Sequence, residues 1–227
     1  MNTPGSLPRR LLKKLHPEGI RWGFARLYTR LSATRPFEKF YELIARDILA
    51  RVPAGRVLDI GTGPARLLLK IRALAPAMHL TGVDVSPEMV ARAREILAAA
   101  GVGEQIELVT ANASHLPFPD GAFDAVISSG SLHHWKAPVA SLNEIYRVLK
   151  PGGQALLYDL VRDTPKAEWQ KTSDILGRWR VLFMWLHGFE EPFYRTDELR
   201  QLAEGSLFAT GEVGFLGLVC RLALRKM

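Results

Sequence analysis

The sequence predicts an α/β protein built on a doubly wound, seven-stranded, mostly parallel sheet. Three observations carry that prediction. Seven short runs of β-branched and apolar residues stand between turn formers. Stretches with apolar residues at helical spacing alternate with most of them, as strand–helix–strand crossovers require. At 227 residues the chain is long enough to bury a sizeable core. It divides into a helical arm, 1–52, and a core, 53–227, with an insertion at about 163–195.

The arm reads as three helices. Leu7, Leu11 and Leu15 recur every four residues until Pro17 stops them. Phe24, Leu27, Tyr28 and Leu31 make a second apolar stripe. Pro36 opens a third helix, with Phe37, Phe40, Tyr41, Ile44 and Ile48 on one face, and the second and third helices are expected to pack on the core or cap its cleft. Val57, Leu58 and Ile60 form the first strand. Gly61 and Gly63 then force a tight turn that a ligand can approach closely, since neither has a Cβ. Leu67, Leu68 and Ile71 continue as a helix to about Leu74. The second strand, HLTGVDV, reaches Val85. Ser86 is a good N-cap and Pro87 a good first residue for the next helix, which carries Met89, Val90, Ala93 and Leu97.

Ile106 to Thr110 is the third strand and ASHLPFPDGAFD a loop by its Pro, Asp and Gly content. Ala125 to Ser129 is the fourth strand, and Pro138 opens a helix with Leu142, Ile145, Tyr146 and Leu149 in register. LKPGG reads as a sharp turn into a fifth strand, Gln154 to Tyr158. The insertion holds Trp169, Trp179, Phe183, Trp185, Phe189, Phe193 and Tyr194 and is expected to be a helical cover. Thr196 caps a last helix with Leu199 and Leu202 inward. Two closing strands, Glu212 to Phe215 and Leu218 to Leu224, join at Gly217.

Composition narrows the function classes. No apolar run reaches the length of a membrane span. Arg9 and Arg10 are followed by Lys13 and Lys14 rather than an apolar stretch, so no signal peptide is expected and the location is expected to be cytoplasmic. A single cysteine, Cys220, excludes a disulfide framework and a cysteine-based zinc site, and no metal is expected. Residues 1–52 hold 11 Lys/Arg against 4 Asp/Glu, a net of +7, and the rest of the chain balances 19 against 19. The arm therefore carries the whole excess, which suits a solvated helix face or an anionic partner such as a membrane surface.

The stretch VLDIGTGPAR holds the chemistry. Free N–H groups of the turn and the positive end of the following helix are expected to point at a ligand. A nicotinamide or flavin site wants G-x-G-x-x-G and an acid about 20 residues on. Gly61 and Gly63 match, but Arg66 stands where the third glycine belongs, and Asp59 would repel a pyrophosphate. A ligand with a cationic amino group and no phosphate explains Asp59 better, and S-adenosylmethionine is such a ligand.

VLDIGTGPA, LTGVDVSPEMV, ASHLPFPDGAFDAVISSGSLHHW and IYRVLKPGGQALLYDL together resemble the class I S-adenosylmethionine-dependent methyltransferases, within them the small-molecule group that includes the ubiquinone/menaquinone-type enzymes. The likeness runs from about 57 to 160, and it implies a Rossmann-like fold. It also implies that Asp59, Gly61, Thr62 and Gly63 hold the methionine end, that Asp84 accepts both ribose hydroxyls, and that Val85 and Met89 flank the adenine. Asn112 and Ala113 would meet the adenine edge and Ser128 and Ser129 line the cleft. Two positions depart from the family pattern: its third glycine falls at Ala65, and its acid near the adenine falls at Asn112, whose oxygen is expected to accept from the adenine amino group.

Methyl transfer needs alignment and exclusion of water, and an O or N nucleophile needs a base as well. His133, His134, His187 and Tyr158 are the candidates. Asp159 could orient substrate. Trp135, Trp179, Phe183 and Trp185 are candidate substrate contacts, because a lid of Trp and Phe suits a flat or lipophilic acceptor. The expected activity is methyl transfer from S-adenosyl-L-methionine to a small aromatic or lipophilic acceptor, leaving S-adenosyl-L-homocysteine. RNA or protein methylation using the basic arm, or binding without turnover, are the alternatives. The fourth strand ends in SSGS rather than the Asn/Asp-Pro-Pro-Tyr pattern of base N-methylation, which disfavours nucleic acid.

Overall fold

The computed structural model describes residues 34–176 and 193–227, with Thr29 and Ser32. The first two arm helices, and with them most of the basic excess, lie outside the described residues. So do Trp179, Phe183, Trp185 and His187.

Helix α1 (Arg35–Arg51) precedes strand β1 (Arg56–Ile60), helix α2 (Arg66–Leu74), strand β2 (His79–Asp84), helix α3 (Pro87–Ala99) and strand β3 (Ile106–Thr110). Strand β4 (Phe123–Ser129), a short 3-10 turn (Leu132–His134), helix α4 (Pro138–Val148) and strand β5 (Leu149–Leu160) follow. Helix α5 (Lys166–Leu176), helix α6 (Thr196–Glu204) and strands β6 (Glu212–Leu216) and β7 (Val219–Arg225) complete the described chain. The seven strands form one sheet in the order β3-β2-β1-β4-β5-β7-β6. The first five are parallel to their neighbours, and β7 runs antiparallel to both β5 and β6. The predicted fold class holds.

Period-two alternation gives the inner strands two buried faces. Val57, Ile127 and Leu156 meet Ile44 and Ile48 of α1 and Leu68 and Ile71 of α2. Leu58, Val126 and Leu157 meet Leu142 and Ile145 of α4 and Leu199 of α6. The chain leaves β1 toward β2 and β3, then returns to place β4 on the other side of β1. That reversal opens a crevice beyond the carboxyl ends of β1 and β4, where parallel α/β sheets bind ligands.

Three elements differ from expectation. LKPGG is not a separate turn. Leu149 pairs with Phe123 and Gln154 with Ala125, so β5 absorbs the extra residues as a bulge. Thr196 is the first residue of α6 rather than its cap, and the cap position is Arg195, whose N–H donates to Glu198 Oε2 at 2.8 Å. The Thr196 N–H and hydroxyl both donate to Asp163, the hydroxyl at 2.7 Å. That carboxylate satisfies the helix start from the far side of the insertion. With Arg162 N–H donating to Tyr194 O at 3.0 Å, the two ends of the insertion close on each other. Within it α5 is helical, as expected of a cover, and Trp169 packs with Phe40 and Leu160 around Leu218.

Candidate active site

The turn after β1 is built by backbone conformation. Gly61 has φ +71°, and a Cβ there would lie 2.4 Å from both Cβ and Oγ of Ser131. Ala65 takes φ 57° and ψ 26°, the left-handed region that glycine enters freely. The turn is kept with alanine, and the Ala65 methyl is fully buried in the core.

The hydrogen-bond pattern reverses one expectation. The N–H groups of Gly61 and Thr62 both donate to Val83 O at 2.9 Å, and Ala65 N–H donates to Thr62 O at 2.9 Å. Gly63 N–H donates to Asp84 Oδ2 at 2.9 Å. These donors are used inside the protein and do not face a ligand. Two buried carboxylates stand there instead. Asp59 is 2% exposed, and its Oδ1 has no hydrogen-bond partner among the described residues; nor has Thr62 Oγ1. Burial pushes the Asp59 carboxyl up to about 7; the neighbouring Thr62 hydroxyl pulls it back in part, and the Asp84 carboxylate adds to the rise. Asp84 is itself raised by burial, although its oxygens accept from Ser86 N–H and Gly63 N–H. Such a turn repels a pyrophosphate and favours a cation.

Around the crevice, Val85 is 36% exposed just past the tip of β2, whereas Met89 is buried on α3. Asn112 departs from expectation. Its Oδ1 already accepts both the N–H and the hydroxyl of Ser114, each at 2.9 Å, so its amide N–H groups are what remain for a ligand. Ala113 is buried behind it. The loop beyond is clamped by Arg147, which sequence reading missed. Its guanidinium donates to Leu116 O at 2.9 Å, Phe118 O at 2.7 Å and Glu144 Oε2 at 2.8 Å. Glu144 in turn accepts Leu116 N–H at 2.9 Å. Arg147 and Glu144, three apart on α4, carried no signal beyond an ordinary helical ion pair.

Ser131 is the second omission. Its hydroxyl donates to Ile60 O at 3.2 Å and accepts from Trp135 Nε1 at 3.0 Å, while Ser128 Oγ lies 2.9 Å away. It ties β1, β4 and the Gly61 turn together. Trp135, expected at the substrate, is 5% exposed in the core, with its indole N–H held by Ser131. Ser128 is buried and Ser129 half-buried at the end of β4.

The base candidates separate clearly. Tyr158 donates to Asp47 Oδ2 at 2.7 Å, and Asp47 also binds Arg221 Nη1 through both oxygens, at 2.8 and 2.9 Å. Burial, reinforced by the Asp47 carboxylate, drives the phenol well above its ordinary range. Tyr158 therefore anchors α1 to the sheet, and its proposed role as a base is withdrawn. His133 is 5% exposed, and its Nδ1 lies 3.0 and 2.8 Å from the two oxygens of Asp159. The His134 ring lies beside it, tilted by 46° with 3.9 Å between centroids. Among the described residues no group of acids, histidines and cysteines has the arrangement of a metal site.

Residues 58–157 match the sequence profile of a family described as a methyltransferase domain. That match takes in the glycine turn and the four strands that follow it. Demethylmenaquinone methyltransferase of Thermus thermophilus is 36% identical over 115 residues, 51% of this chain and 51% of that protein. A ubiquinone/menaquinone biosynthesis C-methyltransferase, UbiE of Xylella fastidiosa, is 37% identical over 151 residues, 64% of this chain and 58% of that one. The chain spans about half the length of the curated relatives it matches. Among solved structures, a Methanococcus maripaludis protein assigned to the S-adenosyl-L-methionine-dependent methyltransferases superposes with a TM-score of 0.71 at 20% identity, covering 93% of this chain and 98% of that one. PigF in complex with SAH gives 0.65 at 20% identity, covering 89% of this chain and 58% of that one. At those identities the likeness is one of fold. The matched segment runs from β1 into β5, and the Asp59–Gly63 turn, Asp84, Asn112 and Ser128 all fall inside it.

Proposed function

We propose that this chain transfers a methyl group from S-adenosyl-L-methionine to a small, lipophilic, quinone-type acceptor. The observation that carries the cofactor half is the buried, unpartnered Oδ1 of Asp59 beside a turn whose N–H donors are spent. Asp59 would pair with the cofactor's amino group, and each Asp84 oxygen keeps a lone pair for a ribose hydroxyl. Val85 would cover one adenine face. When bound, the cofactor would supply an already activated methyl. The chain would then align the acceptor and exclude water under the aromatic insertion. The acceptor half is supported by the activities for which the relatives are named and by the aromatic content of residues 163–195.

The same acceptor suits a peripheral location, with the +7 arm on an anionic lipid surface. Among the described residues no helix is long and apolar enough to cross a membrane.

Labelled S-adenosyl-L-methionine offered with reduced demethylquinones, with tRNA and with a peptide mixture tests this reading. Label in the quinol fraction is the expected result, and label confined to tRNA or peptide would sink it. Asn112→Asp is a second test. One carboxylate oxygen would keep the Ser114 contacts and the other would be open to the adenine amino group. Calorimetry should show affinity for S-adenosyl-L-methionine rising roughly fivefold, the worth of about one hydrogen bond.

A further inference from the structure

We infer that the base-binding end of the crevice does not select the 6-amino group of adenine, and that the chain takes the 6-oxopurine counterpart of its cofactor about as well as the adenosyl form. This rests on the methyl-transfer reading above and deepens it by naming which purines the site accepts. Strand β3 pairs with β2 so that Thr110 lies opposite Asp84, and Ala111 N–H donates to Asp84 O at 3.1 Å. Asn112 and Ala113 therefore stand just past the tips of both strands. There they follow the carboxylate that would take the ribose and Val85, which would cover the base.

The polarity of that edge follows from where its protons are. Asn112 Oδ1 accepts the Ser114 N–H and the Ser114 hydroxyl, each at 2.9 Å, which fills both lone pairs of the amide oxygen. The first of these contacts fixes the amide's orientation. A backbone N–H can only donate, so the atom facing it is the oxygen. The Asn112 main-chain oxygen is taken as well, by His115 N–H at 2.9 Å. The Nδ2 amino group is left over, without a partner among the described residues, and so is the Ala113 N–H. Turning the amide over to present its oxygen would set Nδ2 against the Ser114 N–H, donor to donor, and strand a half-buried main-chain group.

Two adjacent donors read the two purines evenly. Adenine offers an acceptor at N1 and a donor at its 6-amino group, whereas a 6-oxopurine offers a donor at N1 and an acceptor at O6. Against the Ala113 N–H and Asn112 Nδ2, each base makes one hydrogen bond and meets one like-signed contact. A site built around a fixed acceptor for the amino group would instead reject the 6-oxo form by roughly ten-thousandfold. Here that acceptor is spent on the chain's own turn.

Calorimetric titration of the full chain with S-adenosyl-L-homocysteine and with its 6-oxopurine counterpart, S-inosyl-L-homocysteine, tests the proposal. The two dissociation constants should agree within about threefold. In Asn112→Asp the second carboxylate oxygen accepts from the amino group and repels O6. The adenine form should then be preferred by roughly thirtyfold or more, the worth of about two hydrogen bonds. Ser114→Ala returns one lone pair to Asn112 Oδ1 and should shift the preference the same way by roughly fivefold. A wild-type preference for the adenine form of more than about tenfold would overturn the proposal. So would an Asn112→Asp protein whose affinities for both ligands change together, the mark of a purely structural residue, or a Ser114→Ala protein shifted toward the 6-oxo form. If neither ligand binds wild type, the cofactor reading fails and takes the proposal with it. An adenine-selective wild type overturns the proposal alone and leaves the cofactor reading standing.

Discussion

Asp59→Asn is expected to raise the melting temperature of the cofactor-free protein while abolishing binding of S-adenosyl-L-methionine. The sign follows from the direction of the shift. Asp59 sits at about 7 in the folded chain, against 3.8 when unperturbed. Between those values the folded state holds a proton that the unfolded state has lost, so stability falls as pH rises through this range. The contribution is fully present below about pH 4 and gone above about pH 7. At neutral pH the ionised, buried Asp59 destabilises the fold, and asparagine removes that charge at nearly constant shape. A gain of roughly 2–4 kcal/mol is expected from about 1.4 kcal/mol for each unit of pKa. For a chain of this size that corresponds to roughly 5–15 °C. Differential scanning calorimetry at pH 7.5 measures it, and an unchanged or lowered melting temperature would refute the account of Asp59. In wild type the same ionisation governs the cofactor. Affinity should weaken nearly tenfold for each pH unit below about 7, because the amino group needs the carboxylate form.

Asp47→Ala is expected to cost about 3–5 kcal/mol in denaturant unfolding, the usual penalty for stranding one partner of a buried ion pair. Arg221 is 8% exposed and Asp47 is 15% exposed. Removing the carboxylate leaves that guanidinium with the longer, exposed Glu212 contact at 3.8 Å and unties the Tyr158 hydroxyl in the same step. Tyr158→Phe isolates the second effect. About 1.5–3 kcal/mol should be lost, as for a hydrogen bond to a charged group. Methyl transfer at saturating substrate should stay within twofold of wild type, since this phenol clamps α1 rather than moving a proton. A folded Tyr158→Phe protein without turnover would return Tyr158 to the chemistry.

The fold was legible because its signals are local. Val57 to Ile60 reads as strand, Ser86 and Pro87 as a helix start, and Ser86 Oγ does accept Met89 N–H at 3.3 Å. The glycine turn was legible as well, but its polarity was not. Whether Gly61, Thr62 and Gly63 offer donors depends on where Val83 O and the Asp84 carboxylate sit, and those lie some twenty residues on. The same holds for Tyr158, paired with Asp47 across 111 positions, and for His133, paired with Asp159 across 26. Ser131 was missed because one serine after SSG has no pattern. Its importance comes from meeting Ile60 and Trp135 at once. Asn112 was read as an acceptor by its type, and the turn to Ser114 spends that acceptor.

On the reading proposed above, the acidic crevice beyond β1 and β2 would select a nucleoside carrying an amino acid cation over a dinucleotide. Calorimetric titration of the full chain at pH 8 tests it most directly. Saturable one-to-one binding of S-adenosyl-L-methionine and S-adenosyl-L-homocysteine is expected, with no measurable heat from NAD. Binding of NAD with comparable affinity, or no binding of either adenosyl ligand, would contradict it.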